Sequence, residues 1–121
     1  MTFGAFISQK RLQSHLTLRQ EAQKLGITAA YLSDVEKGKR NAFGLDRLRR
    51  FAAVAQLEPD EEKLLYDLAG ENRGEISPDV SEYISQNQYL FEVLRRARVL
   101  GADEQDWKLM LEDLIMKRKG V

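Results

Sequence analysis

Apolar residues recur along nearly the whole chain at spacings of three and four, and no sustained stretch alternates apolar with polar at period two. That pattern predicts an all-α protein. A first helix is expected from about Phe3 to Ser14, with Phe3, Phe6, Ile7 and the stem of Lys10 on its inner face and His15 at the following turn. Thr17 opens a second helix, and Gln20 three residues later completes a capping box, in which side chains and backbone at the helix start satisfy each other's hydrogen bonds. Thr28 opens a third helix as its cap, and Gly38 ends it. A polar, basic loop spans Lys39 to Gly44. A fourth helix follows over about Leu45 to Gln56, expected to bury Leu45, Leu48, Phe51, Ala52 and Ala55. Pro59 sits at the first turn of a fifth, with Asp60, Glu61 and Glu62 at the positive end of its dipole. This fifth helix carries Leu64, Leu65 and Leu68 and should stop near Gly70.

The window Leu16 to Lys37, LTLRQEAQKLGITAAYLSDVEK, carries the most information. Two short helices joined at Leu25-Gly26-Ile27 form the arrangement by which a small domain offers one helix to a DNA major groove. Ala22 must be small because the helices touch there, and Gly26 suits a turn with positive φ, which strains a residue bearing Cβ. Leu25, Ile27, Leu32 and Val35 then line the inner faces.

Residues 1–70 thus read as one five-helix domain, 71–77 as a polar connector, and 78–121 as a helical C-terminal extension. Ser77-Pro78 starts a helix ending near Gln86-Asn87, and Tyr89 to Leu100 forms the next, with Leu90, Val93, Leu94 and Ala97 on one face. Gly101 breaks it, and Asp103 with Asp106 opens the last helix. There Trp107, Met110, Leu111, Leu114 and Ile115 recur at i, i+3, i+4, i+7 and i+8, a wide apolar stripe, and Lys117-Arg118-Lys119 follow at the negative end of the dipole. These stripes need a cover, which is either the amino domain of the same chain or the same segment of a second chain. Dimerisation through Leu90, Val93, Leu94, Trp107, Met110, Leu111, Leu114 and Ile115 is the favoured expectation, since two linked modules gain affinity through effective concentration.

Composition narrows the class. The 121 residues are 43% hydrophobic and 31% charged. No apolar run approaches the roughly 20 residues that span a bilayer, and the start of the chain lacks a signal-peptide pattern. The reading is a soluble, cytoplasmic protein. With no cysteine there is no disulfide framework or thiol nucleophile, and His15 is the lone histidine, so no metal site, cofactor or catalytic constellation is expected. The net charge of zero conceals a division. Residues 1–57 hold ten Lys/Arg against four Asp/Glu, a net +6, while residues 58–121 hold nine against fifteen, a net −6. A basic half containing a helix-turn-helix pattern suits a polyanionic partner.

From SQKRLQ through LTLRQEAQKLGIT and AAYLSDVEKGKR, the chain resembles the phage-repressor-like (Cro/repressor, XRE) helix-turn-helix regulators, over about Phe3 to Gly70. The resemblance implies a five-helix DNA-binding domain, usually a dimeric repressor, in which Arg11 pairs with Glu36 and pins the third helix to the first. Bases are read in this family by the first exposed residues of the third helix and one a turn later. Those positions are Ala29, Ala30 and Asp34 here, flanked by Thr28, Tyr31 and Ser33. None is an Arg, Gln or Asn able to make the bidentate contacts that discriminate guanine or adenine strongly. An alanine can pack on a thymine methyl and Asp34 can accept from a cytosine amino group. Phosphate contacts fall to Thr17, Arg19, Lys37, Lys39 and Arg40, with Tyr31 and Ser33 also in reach. Asn41 contacts phosphate or caps the next helix. Arg47, Arg49 and Arg50 are weaker candidates, since only part of the fourth helix can face DNA. His15 stands where the family usually has glycine. Glu21 stands where it usually has an apolar core residue, and should therefore lie near the surface or pair with Lys24 or Arg19.

Two functions follow. The first is a sequence-specific, dimeric transcriptional repressor of a phage, mobile-element or small bacterial operon, binding double-stranded DNA and acting by occlusion. The alternative is a protein-interaction module on the same scaffold, an antitoxin-type or mobile-element inhibitor or adaptor. Neither is an enzyme.

Overall fold

The computed structural model describes residues 1–120, which form eight helices and no strand. They are α1 (Phe3–Gln13), α2 (Leu18–Leu25), α3 (Ala29–Glu36), α4 (Leu45–Val54), α5 (Pro59–Arg73), α6 (Pro78–Ser85), α7 (Gln88–Val99) and α8 (Glu104–Lys119). Local chemistry sets most of these ends. The Thr2, Thr17 and Thr28 hydroxyls accept from backbone amides three residues on. Gln20 returns the bond to the Thr17 amide at 2.9 Å. Gly26 closes α2 at φ +71°, and His15 takes a positive φ of 58° in the turn after α1.

The chain divides into two units, Met1–Tyr83 and Ile84–Val121. In the first, α1 packs on α3 and α5, α2 on α3 and α4, and α4 on α5. Their shared core holds Phe3, Ile7, Leu25, Leu32, Leu48, Phe51 and Leu65. Phe43, from the loop before α4, joins it edge-on to Phe3 at 5.7 Å between ring centres. Leu45 and Ala55 are half-buried, and Leu64 is exposed.

The fifth helix runs past Gly70 to Arg73 and closes at Gly74, whose φ is +67°. Gly70 marks a close approach rather than a helix end: a Cβ there would lie 2.8 Å from the Ser77 amide nitrogen. The returning chain is tied down by Ser77 donating to Asp67 and by Arg49 donating to Glu82 at 2.8 Å. Residues 71–73 are therefore helix rather than connector, and 78–83 lie with the amino-terminal unit.

The second unit has a different character. Ala97 is the one buried residue among those described in it, and it lines a hollow of about 430 Å³ with Leu109, Met110 and Asp113 of α8. Leu90, Val93 and Leu94 are half-buried. Trp107, Met110, Leu111, Leu114 and Ile115 are 38% to 58% exposed.

Candidate nucleic-acid interface

The third helix is held from both sides. At its carboxyl end Arg11 reaches across from α1 and donates to both carboxylate oxygens of Glu36, at 2.8 and 3.0 Å, and to the Leu16 carbonyl at 3.0 Å. Both charged side chains are close to 10% exposed, so the pair is largely withdrawn from water. Gly4 makes the approach possible: a Cβ there would sit 2.8 Å from the Val35 carbonyl oxygen. At its amino end, the α2–α3 turn is braced by Arg47, which donates to the Leu25 carbonyl at 3.4 Å.

Of the paired alanines, Ala29 packs against the core and Ala30 points into solvent. Asp34 lies one turn beyond Ala30, half-exposed, with Ser33 beside it. Thr28 is exposed, although its hydroxyl is already engaged by the Tyr31 amide at 3.0 Å. Tyr31 leans inward on Phe43, with ring centres 6.4 Å apart, and carries the Arg40 guanidinium 5.9 Å above its own ring. Tyr31 therefore orients a cation.

The loop after α3 starts from the Lys39 amide, which donates to the Asp34 carbonyl at 2.8 Å. Lys37, Lys39, Arg40 and Asn41 are exposed along it. Its far end is clamped by the last turn of α5. The Asn72 carboxamide oxygen accepts from the Ala42 amide at 2.8 Å, and Arg73 donates twice to the Ala42 carbonyl, at 3.1 and 2.8 Å. These two residues lie in the segment read from sequence as a connector. Asn41 makes no cap for α4, whose N-cap is Gly44. Thr17 and Arg19 are exposed at the start of α2. Arg49 is engaged with Glu82, whereas Arg47 and Arg50 line a hollow of about 290 Å³ with Gly44, Leu45 and Asp46 at the start of α4.

Glu21 departs from expectation. It is 1% exposed, and neither carboxylate oxygen has a hydrogen-bond partner. The inner stripe of α2 holds Ala22 and Leu25, and turning that stripe to the core brings Glu21 with it. Burial pushes its carboxyl above the usual carboxylate range; nearby Arg11 opposes that shift, Glu36 adds to it, and Lys24 opposes it more weakly. No cluster of acidic or histidine side chains able to hold a metal occurs among the described residues. No described helix is long and apolar enough to cross a membrane.

A capped two-helix unit with an exposed helix face and a braced basic loop defines a class, the DNA-binding regulators built on helix-turn-helix domains. The chain belongs to the helix-turn-helix domain family, whose profile matches residues 2–65, just over half its length. No curated protein sequence matches the chain. Among solved structures, the chain is similar to one in a SinR protein/SinI protein complex, at 18% identity and a TM-score of 0.47, covering 98% of this chain and 99% of that one.

Proposed function

We propose that this regulator binds double-stranded DNA as a homodimer and represses a phage, mobile-element or small bacterial operon by occluding its promoter. The observation carrying this reading is the exposed Ala30 face of α3, continuous with a basic loop anchored at both ends. Ala30 meets a thymine methyl and Asp34 a cytosine amino group, so direct base readout is modest. Affinity comes mainly from phosphates, contacted by Lys37, Lys39 and Arg40, with Thr17, Arg19 and the backbone at the start of α2 on the flanking strand. Ser33 and Tyr31 support these contacts, Tyr31 through the cation it carries. Asn41 is assigned to phosphate, since Gly44 takes the cap position. A cytoplasmic location goes with a DNA partner.

Selection from a random double-stranded pool, with sequencing of the retained fraction, tests this reading. A palindromic consensus is the expected result. Salt-sensitive retention without a consensus would remove the sequence-specific part, and no retention would favour the interaction-module reading. Replacing Lys39 and Arg40 by alanine should weaken binding to all sequences and flatten the salt dependence by roughly 0.9 in log–log slope per lost phosphate contact. An unchanged slope would take the loop out of the interface.

A further inference from the structure

The second helix turns a carboxyl group inward close to the pair that holds α3. Glu21 is 1% exposed, neither of its oxygens has a hydrogen-bond partner, and it contributes nothing to the DNA-facing surface. The charges acting on it are Arg11 from α1, Glu36 from α3 and, within α2 itself, Lys24. From α4, the other helix packed on α2, Arg47 is turned to the Leu25 carbonyl and Arg50 lies near the Gly26 turn. Other charges on these helices are engaged elsewhere or open to solvent: Lys10 is held by Glu61, Arg49 by Glu82, Asp34 is half-exposed and Asp46 exposed. One guanidinium therefore faces two carboxyl groups. With Glu21 protonated, Arg11 and Glu36 neutralise each other and α3 is pinned. With Glu21 ionised, the same site carries an uncompensated negative charge that water scarcely reaches, and such a charge is costly.

We propose that Glu21 is a proton switch on DNA binding: its ionisation draws Arg11 away from Glu36, unpins the carboxyl end of α3 and lowers affinity for DNA. The inference rests on the DNA-binding reading above and adds a regulator to it, the proton. An apolar residue would fill the same stripe of α2 without titrating. The direction follows from the site. Burial pushes the Glu21 carboxyl above the usual carboxylate range, Arg11 opposes that shift and Glu36 adds to it. The DNA-binding state is the one that holds the proton. Affinity is therefore complete at acidic pH and is lost as pH rises through the folded-state value.

The test is retention of a random-sequence duplex pool by the full chain at fixed ionic strength, from about pH 5 to about pH 9, where buried carboxyls titrate. Wild-type affinity should fall at least roughly tenfold as Glu21 loses its proton, the effect of one pKa unit of coupling. Glu21→Gln, which keeps the shape and cannot ionise, should hold its low-pH affinity throughout. In the free protein, carbon NMR of the Glu21 carboxyl and nitrogen NMR of the Arg11 Nε–H should share one midpoint. Circular dichroism accompanies each point, so that lost binding is read on folded protein. Affinity that is flat in wild type, or that falls equally in Glu21→Gln, would overturn the switch and leave DNA binding standing. In the second case the response belongs to another group, His15 among them. Binding lost only together with the helical signal would make Glu21 a stability determinant alone, and an Arg11 signal unmoved by the Glu21 titration would equally overturn the switch. Retention at no pH would overturn the DNA-binding reading and this inference with it.

Discussion

Glu21 on the inner face of α2 is a carboxyl group without a hydrogen bond in an apolar site, and burial there disfavours its charged form. Its pKa is raised on folding, so its contribution to stability is complete below the unfolded value and is lost as pH rises through the folded one. Glu21→Gln removes that titration, and the variant should lose less stability than wild type as pH rises. Urea denaturation at several pH values reads the difference, and parallel curves would show that Glu21 does not titrate differently on folding. Glu21→Leu, which restores the expected apolar residue, should stabilise the fold at alkaline pH by roughly 1–3 kcal/mol. Removing one partner of the Arg11–Glu36 pair should instead destabilise the fold. Glu36→Ala leaves a largely buried guanidinium without its carboxylate, at a cost of about 3–5 kcal/mol in denaturant midpoint terms. A loss below 1 kcal/mol would mean that water satisfies Arg11 equally well.

Among elements, the last turn of α5 has the role least visible in sequence. Asn72 and Arg73 look like part of a polar connector because nothing local distinguishes them, and their partner Ala42 lies about thirty residues away. Arg73→Ala removes two charge-assisted bonds from the Ala42 carbonyl, and should cost about 1.5–3 kcal/mol of stability. It should also weaken DNA binding more at the basic loop than at α3, so that combining it with Lys39→Ala gives less than the sum of the single losses. Full additivity in a binding assay would separate the clamp from the loop. The α1–α3 contact has the same long-range character. Gly4 reads in sequence as an unremarkable helix residue, yet it faces the carbonyls that end α3. Gly4→Ala should therefore destabilise the protein, although alanine is the better helix former. A thermal melt unchanged or raised would show that α1 can shift to accommodate the methyl group.

For the whole molecule, the charge division sharpens once the units are known. Residues 58–83 hold nine acids against two bases, whereas residues 84–120 hold six against seven. The acidic excess thus belongs to α5 and α6 in the DNA-binding unit, and the carboxyl-terminal unit is close to neutral. Two of those acids hold bases from elsewhere in the first unit: Glu61 takes Lys10, and Glu82 takes Arg49. On the homodimer proposed above, ending the chain after Asn87 should leave a folded monomer that keeps the near-ultraviolet signature of the first unit and loses that of Tyr89, Phe91 and Trp107. A truncated chain that still sediments as a dimer would transfer the contact to residues 1–87.

The all-α class, the turn at Gly26, the threonine caps and the apolar stripes were legible in the sequence by itself, because each depends on residues within about four positions of one another. The candidate reading face was legible for the same reason, since Thr28 to Asp34 form one short capped helix. Tertiary structure decided what depends on distant chain segments meeting. It separated Ala29 from Ala30, engaged Arg49 with Glu82, set Asn72 and Arg73 on Ala42, and placed Glu21 inside. Periodicity states which residues share a face of a helix. Which face turns inward, and what it meets there, is settled only when the other helices close upon it.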